Sequence, residues 1–159
     1  MSLQRATQLP LSFGALDKRQ ARSQFAALPF RVVDGNVQIM LVTSRRTKRW
    51  IIPKGWPEDG MTPARSAAKE AWEEGGAKGR VYDLCLGVYS YAKTVGDADD
   101  LPCLALVYPF KVKKTERDYP ERKQRRRKWF TQKQAANRVN EPELKRLIKT
   151  FDPAQLKGY

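Results

Sequence analysis

Residues 62–76 constrain the chain more than any other stretch. Thr62-Pro63 supplies a hydroxyl N-cap followed by proline at the first helical position, and Gly75-Gly76 supplies a C-terminal stop. At about 100° per residue, Ala64, Ala67, Ala68, Ala71 and Gly75 fall on one side of this helix. Glu70, Glu73 and Glu74 fall on the opposite side, within an arc of about 100°. A face of small residues permits close approach to a sheet, so the helix calls for β-structure on that side.

The flanking sequence provides it. Ala26 to Val33 and Val37 to Ser44 read as strands around an Asp34-Gly35-Asn36 turn, a strong hairpin signal. Arg45 to Arg49 is a basic turn, followed by the apolar run Trp50-Ile51-Ile52. Pro53-Lys54-Gly55-Trp56-Pro57 reads as a loop in which two prolines forbid regular structure. After the helix, Val81 to Ala92 and Leu101 to Val112 read as long strands around an acidic loop, Thr94 to Asp100. Lys128 to Thr131 makes a last short strand, Gln132 to Val139 a helix, and Glu141-Pro142 opens a final helix reaching about Phe151. The expectation is one mixed α+β domain over residues 25–159, preceded by a loose basic arm over residues 1–24.

Composition narrows the chemistry. The chain has 159 residues and no histidine, which removes Ser-His-Asp triads, Cys-His nucleophile pairs and every histidine-based zinc site. Two cysteines, Cys85 and Cys103, cannot build a four-thiolate centre. In strand-like apolar surroundings they read as reduced, buried thiols, which points to the cytoplasm. The N-terminus shows no apolar signal region, and no apolar run reaches the roughly 20 residues of a membrane span. Thirty-one Lys and Arg against 17 Asp and Glu give +14, so the expected partner is polyanionic.

In such a cationic chain the three glutamates stand out. A solvated helix face is the ordinary reading of a carboxylate cluster. Here Glu70 and Glu74, and Glu70 and Glu73, are like-charged helical neighbours, each pair costing a few tenths of a kcal/mol, roughly. Only Lys69 to Glu73 and Lys78 to Glu74 offer helical relief. A divalent cation removes the repulsion, and oxygen ligands at this spacing suit Mg²⁺ or Mn²⁺.

From Gly55 to Ala77 the chain resembles the box of the Nudix hydrolases. Gly55 opens the box, Glu70 takes the first glutamate of the core motif, and Ala71 its hydrophobic position. Glu73 and Glu74 are the paired glutamates, Gly76 the second glycine and Ala77 the last position, without a gap. Two positions depart: Met61 stands where the family usually has glutamate, and Lys69 where it usually has arginine. Lysine keeps the charge but loses the bidentate fork, and methionine cannot pair with it. Packing, with Trp56 as the candidate, is then expected to hold the loop. The flanking segments Trp50 to Pro57 and Arg125 to Phe130 are similar to the diadenosine and diphosphoinositol polyphosphate phosphohydrolase branch and its bacterial relatives.

The resemblance implies a mixed β-sheet sandwiched between α-helices and a metal-dependent pyrophosphohydrolase. Its substrate would be a dinucleoside polyphosphate or an inositol pyrophosphate, cleaved at a diphosphate linkage by metal-activated water. Glu70 and Glu74 are the implied primary metal ligands, with Glu73 serving a second ion or the water, and the Gly55 carbonyl a further ligand. Glu121 is the candidate general base, with Glu116 behind it. Among the cations, Lys54, Arg45, Arg126 and Lys128 are the candidates to grip substrate phosphates. Trp56, Trp72 and Tyr91 are the aromatics able to stack on a base, with core packing the expected role of Trp72.

Two alternatives carry different consequences. One is removal of pyrophosphate from RNA 5′ ends, which uses the same box. The other is a nucleic-acid-binding module with a vestigial box, which the basic tracts fit. Against the latter, no helix-turn-helix, zinc finger or RNA-recognition aromatic motif is present, and three glutamates without a metal would repel a phosphate backbone.

Overall fold

The structure, a computed structural model, describes residues 22–93 and 101–159. The acidic loop at 94–100 and the first 21 residues of the expected arm lie outside the described residues. Eight strands form one mixed sheet: β1 (Arg22–Val33), β2 (Asn36–Thr43), β3 (Trp50–Ile51), β4 (Lys54–Gly55), β5 (Ala77–Val81), β6 (Gly87–Lys93), β7 (Leu101–Thr115) and β8 (Arg127–Thr131). Among the described residues three α-helices accompany it: α1 (Pro63–Gly75), α2 (Gln132–Arg138) and α3 (Pro142–Thr150). The main path runs β3-β2-β1-β7-β5, with β4 pairing β1, β6 pairing β7 and β8 pairing β2. Among the described strands only the central β1–β7 pairing is parallel; the other pairs are antiparallel.

Strand alternation splits the core into two layers. Ala26, Leu28 and Phe30 of β1, with Ala105 and Val107 of β7, pack under α2 and α3 against Leu144, Leu147 and Ile148. Ala27 of β1 and Tyr108 and Phe110 of β7 turn to the other face, against Ala64, Ala67 and Ala71 of α1. The alanine stripe of α1 therefore does what its size allows, bringing that helix close over β1. Thr62 caps α1 through its hydroxyl, and Gly76 ends it in the left-handed conformation. The β1–β2 hairpin turns on Asp34 and Gly35, both with positive φ, as a type I′ turn demands.

The structure differs from expectation in several places. β1 begins at Arg22 rather than Ala26, taking three residues from the segment read as an arm. Backbone pairing of Arg22–Gln24 with Cys103–Ala105 decides this, and Gln24 is buried although polar because the Tyr91 hydroxyl donates to its side chain. The loop read around Pro53 and Pro57 contains a short strand, because Lys54 and Gly55, which precede Pro57, pair with Ala26 and Phe25. The long strand expected over 81–92 is two strands, β5 and β6, both on the same edge of β7. Pro109 explains the break: its carbonyl accepts from Tyr82, and on that edge it has no N–H to offer a continuous partner. Cys85 lies exposed in the connection, while Cys103 is buried; both are free thiols. A short 3₁₀ turn at Pro153–Leu156, not expected, closes the described chain.

Candidate active site

The α1 glutamates and the β4 backbone meet at one end of the sheet, in a cleft of about 600 Å³. Pairing with β1 fixes Gly55 beside Glu70. A Cβ at position 55 would stand 2.2 Å from Glu70 Oε1, so the close approach of carboxylate to backbone requires glycine. One turn on, Glu74 does not stand opposite the small-residue face as expected: seven residues after Ala67 it lies at the flank of that face, about 20° away around the helix, and points inward, only 3% exposed. Its Oε2 accepts the Lys54 N–H at 2.9 Å, and its Oε1 pairs with Arg125 Nη2 at 2.8 Å.

Arg125 organises the far wall. Its Nε donates to Glu121 Oε1 at 3.2 Å and its Nη1 to the Thr43 carbonyl at 3.1 Å. The Glu121 N–H in turn donates to the Glu73 carbonyl at 2.9 Å, clamping the loop to the end of α1. Glu121 faces the cleft, with Arg45 Nη1 3.9 Å from it. Glu116 does not reach the cleft; it pairs with Lys114 and Lys78 at 3.1 and 3.7 Å. The expected relief of Glu74 by Lys78 is thus replaced by Arg125.

Lys69 does pair with Glu73, at 3.3 Å, and it also bonds Glu58. Glu58 sits in the loop between β4 and α1 and lines the cleft. Met61 is exposed. The loop-to-helix tie expected to pass to packing by Trp56 is therefore an ion pair, with its glutamate three residues before Met61. Trp56 is instead exposed at the cleft, with the Lys93 ammonium 4.9 Å above its ring.

Of the expected phosphate-gripping cations, Lys54 and Arg45 line the cleft, and Arg126 and Lys128 do not. Strand alternation sends Arg125 and Arg127 inward and leaves Arg126 and Lys128 exposed. Arg127 caps α1, donating to the Gly75 carbonyl at 2.8 Å with its guanidinium 4.6 Å above Tyr119. Lys54 Nζ lies 4.6 Å above the ring of Tyr91, which makes that aromatic a floor for the lysine rather than a stacking surface for a base. Trp72 belongs to neither core cluster; it is half-buried beside the 118–124 loop, with Lys78 5.0 Å above it. Sequence reasoning missed Glu58, Lys93 and the inward role of Arg125. For the last, the i,i+4 spacing of Glu121 and Arg125 was the available signal.

Burial raises Glu70 to about 7, helped by repulsion from Glu73 and opposed by Lys69. Burial likewise raises Glu74 to about 7, against the attraction of Arg125 and Lys54. Burial lowers Lys54, against the pull of Glu74 and Glu141. Five carboxylates (Glu58, Asp59, Glu70, Glu74, Glu121) and four cations (Arg45, Lys54, Lys93, Arg125) line the cleft. In a protein of +14 the lining of this cleft carries no cationic surplus.

Among the described residues no three acidic groups already converge as a ready cage. The donor set nevertheless fits a hard ion: Glu70 is pressed on the Gly55 backbone, Glu74 lies one turn away, and both are poised near neutrality between protonated and ionised forms. Glu73, held by Lys69, is not part of the cleft lining.

Comparison with known proteins agrees with this architecture. The NUDIX domain model matches residues 23–151. "Nudix hydrolase 12, mitochondrial" of Arabidopsis thaliana is 33% identical over 118 residues, covering 72% of this chain and 58% of that protein. Diphosphoinositol polyphosphate phosphohydrolase 2 of Rattus norvegicus is 28% identical over 116 residues, covering 72% and 60%. The chain thus spans little more than half the length of these relatives. A C. elegans Ap4A hydrolase binary complex superposes with a TM-score of 0.62 at 17% identity, covering 87% of this chain and all of that one, which supports the fold.

Proposed function

The chain belongs to the Nudix family, and on that premise we propose that it hydrolyses phosphoric anhydride bonds. The substrate we assign is a polyphosphorylated small molecule of the dinucleoside polyphosphate or inositol pyrophosphate class, cleaved at a diphosphate linkage by water. The names of the relatives, a diphosphoinositol polyphosphate phosphohydrolase and an Ap4A hydrolase, support that class. The observation that carries the proposal is the contact of Glu70 with the Gly55 backbone beside buried Glu74.

Each residue has a part. Glu70, Glu74 and the Gly55 carbonyl would hold Mg²⁺ or Mn²⁺, which supplies charge neutralisation and a more acidic bound water when present. Lys54, Arg45 and Lys93 bind the phosphate chain from the cleft walls. Arg125 keeps Glu74 and Glu121 in register, its donors already committed to them and to the Thr43 carbonyl. Glu121 accepts the proton of the attacking water; its place on the cleft wall supports this role. Lys69, between Glu58 and Glu73, orients the loop against the helix. The basis is positioning and electrostatics, with no covalent intermediate.

No helix among the described residues is long and apolar enough to cross a membrane. The two free thiols support a reducing compartment, and we assign the cytoplasm. The test is a panel of dinucleoside polyphosphates, inositol pyrophosphates and nucleoside diphosphate derivatives with Mg²⁺, with products identified by chromatography. Release of phosphate or nucleotide that stops on chelation is expected. A panel without turnover overturns the proposal.

A further inference from the structure

Most of the positive charge stays outside the cleft, and the fold gathers part of it into one place. The turn at 45–49 and the segment 122–128 are separate in sequence. Lys48 Nζ donates to the Gln124 carbonyl at 3.2 Å, and Arg45 Nη1 reaches Gln124 Oε1 at 3.5 Å. The Arg126 N–H donates to Thr43 Oγ1 at 2.9 Å, and the Thr43 N–H to the Arg126 carbonyl at 3.0 Å. These bonds merge the two segments into a single surface bearing Arg46, Lys48, Arg49, Lys123, Arg126 and Lys128, all exposed. None of these six makes an ion pair among the described salt bridges. Arg45 and Gln124 sit at the margin this surface shares with the cleft.

We propose that this cationic surface binds the backbone of a single-stranded RNA. The proposal goes beyond the hydrolase reading and does not depend on it. Six like charges held together cost self-repulsion that a solvated face does not need, and a dense row of phosphates removes it through counterion release. The surface consists of loops and one strand edge, with no helix offered to a duplex groove, so it suits a flexible strand rather than a major groove. None of the exposed large apolar residues, Val32, Val33, Trp56, Met61 and Tyr159, belongs to it, which disfavours an anionic bilayer that such side chains would enter. Contacts are to phosphate, so the surface does not read sequence.

The test uses fluorescence anisotropy with a labelled 5′-hydroxyl oligouridine of about 20 nucleotides, longer than the roughly 4–16 that one small domain covers. Having no 5′ phosphate, this probe is not a substrate. The variant Arg46→Gln/Arg49→Gln/Lys123→Gln removes three charges from the surface. The control Lys113→Gln/Arg146→Gln/Lys149→Gln removes three exposed charges elsewhere, on β7 and α3. Wild type is expected to bind at about 50 mM salt and to weaken steeply by about 200 mM. The surface variant should lose about tenfold or more in affinity, and its log–log salt slope should flatten by about 0.7 per lost contact. The control should bind like wild type, and both variants should melt within a few degrees of it. Absence of binding by wild type, equal losses in both variants, or retention on phosphatidylserine vesicles in place of RNA overturns the proposal. Turnover of a small polyphosphate is read separately, so a failed hydrolase assignment leaves this result standing.

Discussion

Glu74 and Arg125 meet at 2.8 Å with side chains only 3% and 9% exposed, and this ion pair joins α1 to the opposite wall of the cleft. The two members are not equivalent. Arg125 has Glu121 and the Thr43 carbonyl as further partners, whereas ionised Glu74 has Arg125 as its one side-chain ion pair among the described residues, with the Lys54 charge attracting it from farther off. At pH 8, above the Glu74 value of about 7, Arg125→Gln should cost about 3–5 kcal/mol because it strands a buried charge. Glu74→Gln should cost less. Arg125→Lys should not restore the loss, since one ammonium cannot serve three separated acceptors. Urea unfolding of the three variants checks the order, and equal costs would contradict it.

A second prediction follows from Glu70, which burial raises from 4.5 to about 7. A carboxyl whose folded value lies above its unfolded one stabilises below the unfolded value, and that contribution is lost as pH rises through about 7. Without divalent ions, wild type should therefore lose stability between about pH 5 and 8 relative to Glu70→Gln. Mg²⁺ should raise the wild-type melting temperature more at pH 8 than at pH 5.5, where the site is largely protonated. A Mg²⁺ shift independent of pH would argue that Glu70 is not a ligand.

The α1 helix, its caps, its alanine face, the β1–β2 hairpin and the Gly55–Gly76 spacing were legible in the sequence because each depends on neighbours a few residues apart. The division of labour among the arginines was not. Arg125, Arg126, Arg127 and Lys128 look alike in a line, and only the register of β8 against β2 decides which point inward. The β5–β6 break was hidden for a similar reason: Tyr82 to Leu86 read as strand by type, while the interruption comes from Pro109 on the partner. Glu58 is not legible because the family spacing puts the partner glutamate at position 61, where this chain has methionine, and only the loop conformation brings Glu58 to Lys69.

The Glu58–Lys69–Glu73 arrangement gives a third prediction. Glu58→Gln should weaken activity about tenfold, as the loss of an orienting partner does, with the larger part in the Mg²⁺ concentration needed for half-maximal rate. Adding Met61→Glu should restore much of it by placing a carboxylate where the family usually has one. Unchanged metal dependence in Glu58→Gln would show that the tie is not an orienting one.

Gly55→Ala is the fourth. The added Cβ would stand 2.2 Å from Glu70 Oε1, so the carboxylate must move by about an ångström. Displacement on that scale should lower kcat by about 100-fold while far-ultraviolet circular dichroism stays unchanged. A variant with wild-type kcat would mean that the approach of Glu70 to the β4 backbone plays no part in catalysis.

The most direct test of the account is Mg²⁺-dependent turnover of a dinucleoside polyphosphate by wild type and Glu70→Gln under identical conditions at pH 8. Wild type should hydrolyse the anhydride, stop in excess chelator and recover when Mg²⁺ is restored. Glu70→Gln should be folded, at least as stable as wild type without metal, and slower by about 100-fold or more, on the order of 3 kcal/mol of transition-state stabilisation. Full turnover by Glu70→Gln, or turnover by wild type that persists in chelator, would contradict the assignment of this cleft as a metal-dependent hydrolase site.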